Sequence, residues 1–151
     1  GAIFNTWHHI IPAGKPIIHH IRRLAMSIKT LMIIKAVVCL GFGLLLLFLP
    51  AGLYQLMGAS LTGGGIFAAR EYGAALIGTL LLTWFARDAA ESQARRAIIL
   101  DLFIYDLLGF VITTYYVLTG MFNWMGWGVV AVYLFFTIGY GYFWFGKKSL
   151  A

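Results

Sequence analysis

Five ionisable side chains, Lys35, Arg70, Glu71, Asp101 and Asp106, stand inside runs that are otherwise apolar. A charge at the centre of a bilayer costs about 2.5–3.5 kcal/mol even on lenient insertion scales, so each is a default candidate for handling a proton, an ion or a substrate. Depth sorts the five. At a rise of about 1.5 Å per residue, Lys35 and Asp101 lie only about 6 Å inside one boundary. Their side chains lean toward that boundary. They are expected to snorkel out, or to pair with each other. Arg70 and Glu71 sit about 6 Å inside the opposite boundary and lean the other way. They mark the outer end of their run, where Glu71 suits the helix dipole; the functional alternative is a polar vestibule.

Asp106 is deeper, about 14 Å from the start of its run. Neither Arg70 nor Lys35 is expected to reach it. Its expected companions are hydroxyls at similar depth: Thr79, Tyr133 and Thr137. A carboxyl isolated there is expected to stay protonated and donate a hydrogen bond. That would make it interhelical glue or a proton or substrate site.

The other chemistry-bearing residues are fewer. His8, His9, His19 and His20 form two doublets. Neighbouring histidines on a helix point about 100° apart and rarely chelate one metal together. The doublets read first as interfacial polar residues, with a metal or pigment contact as the sharper alternative. They lie outside the apolar runs, which argues against a buried bis-histidine haem. Cys39, the only cysteine, excludes an internal disulfide and a multi-cysteine metal site. "TGGGIF" (Thr62 to Phe67) lacks the Gly-Lys-Ser/Thr ending of a phosphate loop and reads as a flexible turn. No Ser-His-Asp, Cys-His or HExxH arrangement is present, so nothing in the sequence argues for an enzyme.

The elements that must position these residues follow from composition. Of 151 residues, 62% are hydrophobic and 11% charged, and mean hydropathy is +0.89. Soluble domains are nearer 45–50% apolar and about 25% charged. Four runs are long enough to span about 30 Å of hydrocarbon: Leu31 to Leu49, Ile66 to Ala86, Ala97 to Leu118, and Met125 to Phe145. They lack the period-two alternation of barrel strands. The expected fold is therefore all-α, with four transmembrane helices (residues 31–151) behind a segment (residues 1–30) that carries an amphipathic interfacial helix. In "PIIHHIRRLAMSIKTL", Ile17, Ile18, Ile21, Leu24, Ala25 and Ile28 share one face, opposite His19, His20, Arg22, Arg23 and Lys29. Such a helix suits anionic lipid headgroups. The opening residues, with Pro12 and Pro16, do not read as a cleavable signal peptide.

The net charge of +6 is distributed as a topology signal, and no nucleic-acid partner is expected. Lys15, Arg22, Arg23 and Lys29 precede the first run, Arg87, Arg95 and Arg96 join the second to the third, and Lys147 and Lys148 follow the fourth. The other two connections carry no charge. By the positive-inside rule both termini are cytoplasmic. Trp84 and Trp144 then mark the inner boundary, and Tyr115, Tyr116, Trp124 and Trp127 the outer one. Ala69 and Gly73, Ala74 and Gly78, and Gly139 and Gly141 supply close-packing positions. "YGYFWF" (Tyr140 to Phe145) reads as lipid contact, with a pigment or subunit face as alternatives.

The order of "LFLPAGLYQLMG", "AAREYGAALIGTLLLTWFARDA", "ARRAIILDLFIYDLLGF" and "GWGVVAVYLFFTIGYGYFWF" resembles small bacterial four-helix membrane proteins that are DoxX-like in layout. The resemblance covers residues 31–145. Its markers are Arg70, Tyr72 and Gly73, followed by Arg95 and Arg96. It implies a bacterial inner-membrane bundle, some relatives of which are tied to quinone or thiosulfate oxidation. It carries over no catalytic residue.

The functional expectation is a non-enzymatic accessory subunit of a larger bacterial membrane complex, respiratory or photosynthetic. Its partners would be other integral subunits, with lipid, quinone or pigment at the helix surface. Two alternatives stand beside it: a small proton-coupled transporter using Asp106, and a DoxX-like partner of a quinone-linked oxidoreductase.

Overall fold

A computed structural model describes residues 26–146. The four histidines, most of the basic amphipathic segment, Lys147 and Lys148 lie outside the described residues. The described residues form five helices: α1 (Ile28–Phe48), α2 (Pro50–Leu56), α3 (Gly63–Ala86), α4 (Gln93–Leu118) and α5 (Gly126–Gly146). The four longer ones are each long and apolar enough to cross a membrane.

Local chemistry sets the helix ends. Ser27 caps α1 by accepting the backbone N–H of Thr30 at 3.1 Å. Ser92 does the same for α4 through Arg95 at 3.2 Å. Each cap satisfies one of the free amides of a first turn. Leu49 leaves helical geometry (φ −130°, ψ 43°) and Pro50 restarts the chain as the first residue of α2. Proline has no N–H to lose at that position. The helix α2 lies where the sequence suggested only a loop. Gly58 (φ +83°) and Gly120 (φ +77°) end α2 and α4 in the left-handed conformation. In both, the following amide reaches back to the carbonyl five residues earlier, Ala59 to Tyr54 at 2.9 Å and Met121 to Tyr116 at 3.1 Å. That is the Schellman closure, which glycine adopts without steric cost.

The triple glycine of "TGGGIF" is not a turn. Gly63, Gly64 and Gly65 are the first turn of α3, behind Thr62 as N-cap. First-turn amides have no partner inside a helix, so the missing side chains cost little there.

The bundle is two helical pairs, α1 with α3 and α4 with α5, joined mainly where α1 meets α5. Glycines allow the close approaches. A Cβ on Gly73 would stand 2.9 Å from the Gly43 carbonyl and the Leu47 amide, so α1 and α3 touch backbone to backbone. Leu31 fills the notch at Gly139, and the Tyr133 ring lies against Gly109. Of the small-residue pairs, Ala69 and Gly73 are buried inside the bundle, whereas Ala74 and Gly78 are exposed, with open space at Gly78. "YGYFWF" is only partly an outer surface. Tyr140 is fully buried and stacks on Phe136, while Tyr142 and Phe145 are exposed.

The two ends of the bundle differ. At one, Lys29 pairs with Asp88 at 2.6 Å and Arg95 with Glu91 at 3.0 Å. Arg87 lies over Trp84, and Arg96 over Trp144. At the other, Asn123 ties the two uncharged connections together. Its amide donates to the Leu56 carbonyl at 2.8 Å, its backbone N–H to Met57 at 2.8 Å, and its side-chain oxygen accepts from Met125 at 2.9 Å. Outer faces carry exposed Leu40, Leu44, Val111, Phe135 and Ile138. Apolar exposure on this scale in a soluble protein marks a surface covered by something else.

Candidate functional site

The basic-end half of the bundle has a filled core of Leu31, Met32, Ile99, Leu102, Phe136 and Tyr140. The other half contains a cleft of about 600 Å³ between the two helical pairs. Its walls are apolar: Phe42 and Leu46 of α1, Leu76 of α3, Leu108 and Ile112 of α4, and Val129 and Val132 of α5. The helix α2 and the α4–α5 connection close its far end with Leu53, Met57, Met121 and Phe122. Its floor, near the middle of the bundle, is polar, with Lys35, Cys39, Tyr72, Tyr105 and Tyr133.

Lys35 is the centre of that floor. Its ammonium donates to Asp106 Oδ1 in a buried ion pair, with side chains 4% and 0% exposed. The same Nζ lies 4.9 Å from the Tyr105 ring centre and 4.6 Å from that of Phe136. A cation over the ring face is attracted by the negative π cloud. Water is thus replaced by one carboxylate and two rings.

The pairing corrects three expectations. Lys35 does not snorkel, and it does not pair with Asp101, which is exposed and has no ion pair among the described residues. Asp106 is not isolated: its Oδ1 accepts from the Lys35 ammonium. Its expected hydroxyl companions are engaged elsewhere: Thr79 with the Ala75 carbonyl at 3.0 Å, Thr137 with the Tyr133 carbonyl at 2.8 Å, and Tyr133 with Tyr72. The physical reason is reach. The four methylenes of lysine cover the depth difference that backbone positions alone suggested was too large. The lowest-energy partner for a dehydrated cation is the nearest carboxylate.

Around the pair, the Tyr72 hydroxyl bonds both to Tyr105 and to Tyr133. These three residues come from α3, α4 and α5, so one hydroxyl cluster ties the two halves of the bundle together. Gly109 makes room for it, because a Cβ there would fall 2.3 Å from the Tyr133 ring. Asp106 Oδ2 and the Tyr140 hydroxyl are both buried without a partner.

Arg70 and Glu71 do not form a vestibule to this cleft. Both are exposed on α3 and neither lines it. No group of three metal-ligating side chains occurs among the described residues. Cys39 lines the floor beside Lys35 and carries no disulfide. Sequence reasoning missed the Lys35–Asp106 pair, the Tyr72–Tyr105 contact and the Asn123 tie. One signal could have found the first: Lys35 is the only charged residue of its run, and Asp106 is the deepest acid of the third.

The arrangement offers hydrogen-bond donors, a compensated charge and apolar walls. No family model, no curated protein and no solved structure matches the chain. The DoxX-like layout therefore rests on the sequence features alone.

Proposed function

We propose that this protein is a non-enzymatic membrane subunit that holds a lipid-soluble small molecule in its inter-pair cleft. The observation that carries the reading is the cleft itself: apolar walls ending on a buried, charge-compensated polar floor. Ligand sites are typically apolar cavities of about 300–1,000 Å³ with a few placed polar groups. The rim supports entry from the hydrocarbon. Leu108, Ile112 and Tyr116 form one stripe of α4 that both lines the cleft and is exposed on the outside. A molecule dissolved in the bilayer reaches the floor past that stripe without crossing water.

Arg70 and Glu71 support the subunit part of the reading. They lie about 10 Å along α3, exposed and without ion pairs among the described residues. Charges on a lipid-facing surface are costly, and a neighbouring membrane subunit would cover them. The basic end, with Lys29, Arg87, Arg95 and Arg96, faces the cytoplasm of a bacterial inner membrane in this reading.

Organic extraction of protein purified in mild detergent, followed by mass spectrometry, tests the binding role. Wild type should release one lipophilic species near stoichiometry. Val129→Trp or Thr113→Trp, which fill the cleft, should release little. Equal recovery from wild type and both variants would overturn the reading. For orientation, Ala90→Cys in a Cys39→Ala background should label with an impermeant maleimide only from the cytoplasmic side.

A small proton-coupled carrier is the second reading, favoured by the Lys35–Asp106 pair on the cleft floor. Asp106→Asn should then abolish flux in proteoliposomes, and unchanged flux would retire it.

A further inference from the structure

We propose that the outward face of α3 is the contact between two copies of this chain, held by reciprocal Arg70–Glu71 ion pairs about a two-fold axis along the membrane normal. The proposal rests on the subunit part of the reading above and names the neighbour.

Helical geometry defines the face. Ala69, Gly73 and Leu76 pack against α1. At about 100° per residue, Phe67, Ala74, Gly78 and Phe85 line up on the opposite side of α3, and all four are exposed. Arg70 falls about 60° to one side of that line and Glu71 about 40° to the other. Both are exposed, and neither has an ion pair among the described residues. Neighbours in sequence point apart on a helix, so the two do not satisfy each other.

The pattern is self-complementary. Copies of one chain share one topology in the membrane, so two α3 helices meet parallel and matched in depth. A two-fold axis between the stripes sets the left flank of one helix against the right flank of the other. Arg70 of each copy then faces Glu71 of the other, at depths that differ by about 1.5 Å. Two charges that each copy leaves toward hydrocarbon, where they are costly, become two ion pairs. Asp101, exposed on α4 with no basic residue on the adjoining turns, would meet only a like charge across such an axis.

The approach is open. Nothing stands near the position of a Cβ at Gly78, and Ala74 adds little bulk one turn away. Small residues at this spacing let helix backbones close in, which brings the flanking side chains within reach. Small residues alone only permit a neighbour; the charge pattern says that the neighbour is this chain.

Photo-cross-linking in native membranes tests it. The full chain carries benzoylphenylalanine in place of Phe67, on the stripe one turn from Glu71. Irradiation should yield a product of twice the chain mass whose peptides come from this chain alone. Arg70→Glu or Glu71→Arg singly should lower that yield about tenfold, the worth of one hydrogen bond to a charged group. Co-expressing the two single variants should restore it, because one copy then supplies both cations and the other both anions. Both changes on one chain should restore it as well, which also shows that the reversals do not unfold the bundle. A dimer yield indifferent to the single reversals, or lost and restored by neither combination, would overturn the proposal. A product joining this chain to a different one would also overturn it while leaving the subunit reading standing. Adducts with lipid alone would remove both.

Discussion

Lys35 of α1 and Asp106 of α4 are 71 positions apart in the chain, yet they form an ion pair buried on every side. The pair joins the buried charge of α1 to the deepest acid of α4. Removing one partner leaves the other charge stranded. Lys35→Met should therefore destabilise the bundle by about 3–5 kcal/mol, whereas Lys35→Met/Asp106→Leu should recover most of the loss. Unfolding by denaturing detergent, followed by circular dichroism, measures both. A single variant as stable as wild type would show that the pair is not structural.

The glycines of α3 should respond oppositely to substitution. At Gly73 a side chain meets the backbone of α1, and Gly73→Val should cost about 1–3 kcal/mol by overpacking. At Gly78 there is open space, and Gly78→Ala should gain up to about 1 kcal/mol from helix propensity. The same unfolding assay reads the difference in sign.

Asn123 joins the connections that close the cleft. Asn123→Ala removes two side-chain hydrogen bonds, to the Leu56 carbonyl and from the Met125 amide. Net losses for such bonds are about 0.5–1.5 kcal/mol each. The stability change should be modest, but Cys39 should alkylate faster with N-ethylmaleimide, because α2 and the α4–α5 connection are then held over the cleft only by the backbone bond from residue 123 to the Met57 carbonyl. An unchanged rate would place the access route elsewhere, along the α4 stripe.

The basic end should show a small acid-sensitive contribution. Lys29 beside Asp88 holds its carboxyl below the ordinary value of 3.8. A folded-state value depressed below the unfolded one means that the pair's contribution is complete above the unfolded value. It is lost as pH falls through the folded one. Asp88→Asn should therefore flatten the stability profile below about pH 4. The effect at neutral pH should be slight, since the group is exposed.

The helical spans were legible because each is a local property. Length, apolar content and the charge-free connections are carried within each run, and the four runs match the four long helices within a few residues. The basic connection and the two tryptophans at one end were legible for the same reason. The cleft was not. Tyr72 read as a marker of the resemblance and Tyr133 as a hydroxyl companion of Asp106, and only the meeting of Tyr72, Tyr105 and Tyr133 from three helices makes a polar floor. The short helix α2 was hidden because seven residues after a proline carry no period long enough to recognise.

The sequence alone determined that four helices are long and apolar enough to cross a membrane, because the cost of burying polar groups in hydrocarbon is set residue by residue. Which charge faces which, and where the bundle stays unfilled, only the tertiary structure decided. A backbone contact such as Gly43 with Gly73 sets how α1 and α3 lie together. That geometry brings Lys35 within reach of Asp106 and keeps the helical pairs apart beyond them. Partner choice depends on distance and orientation between segments, and neither quantity exists until the helices have packed.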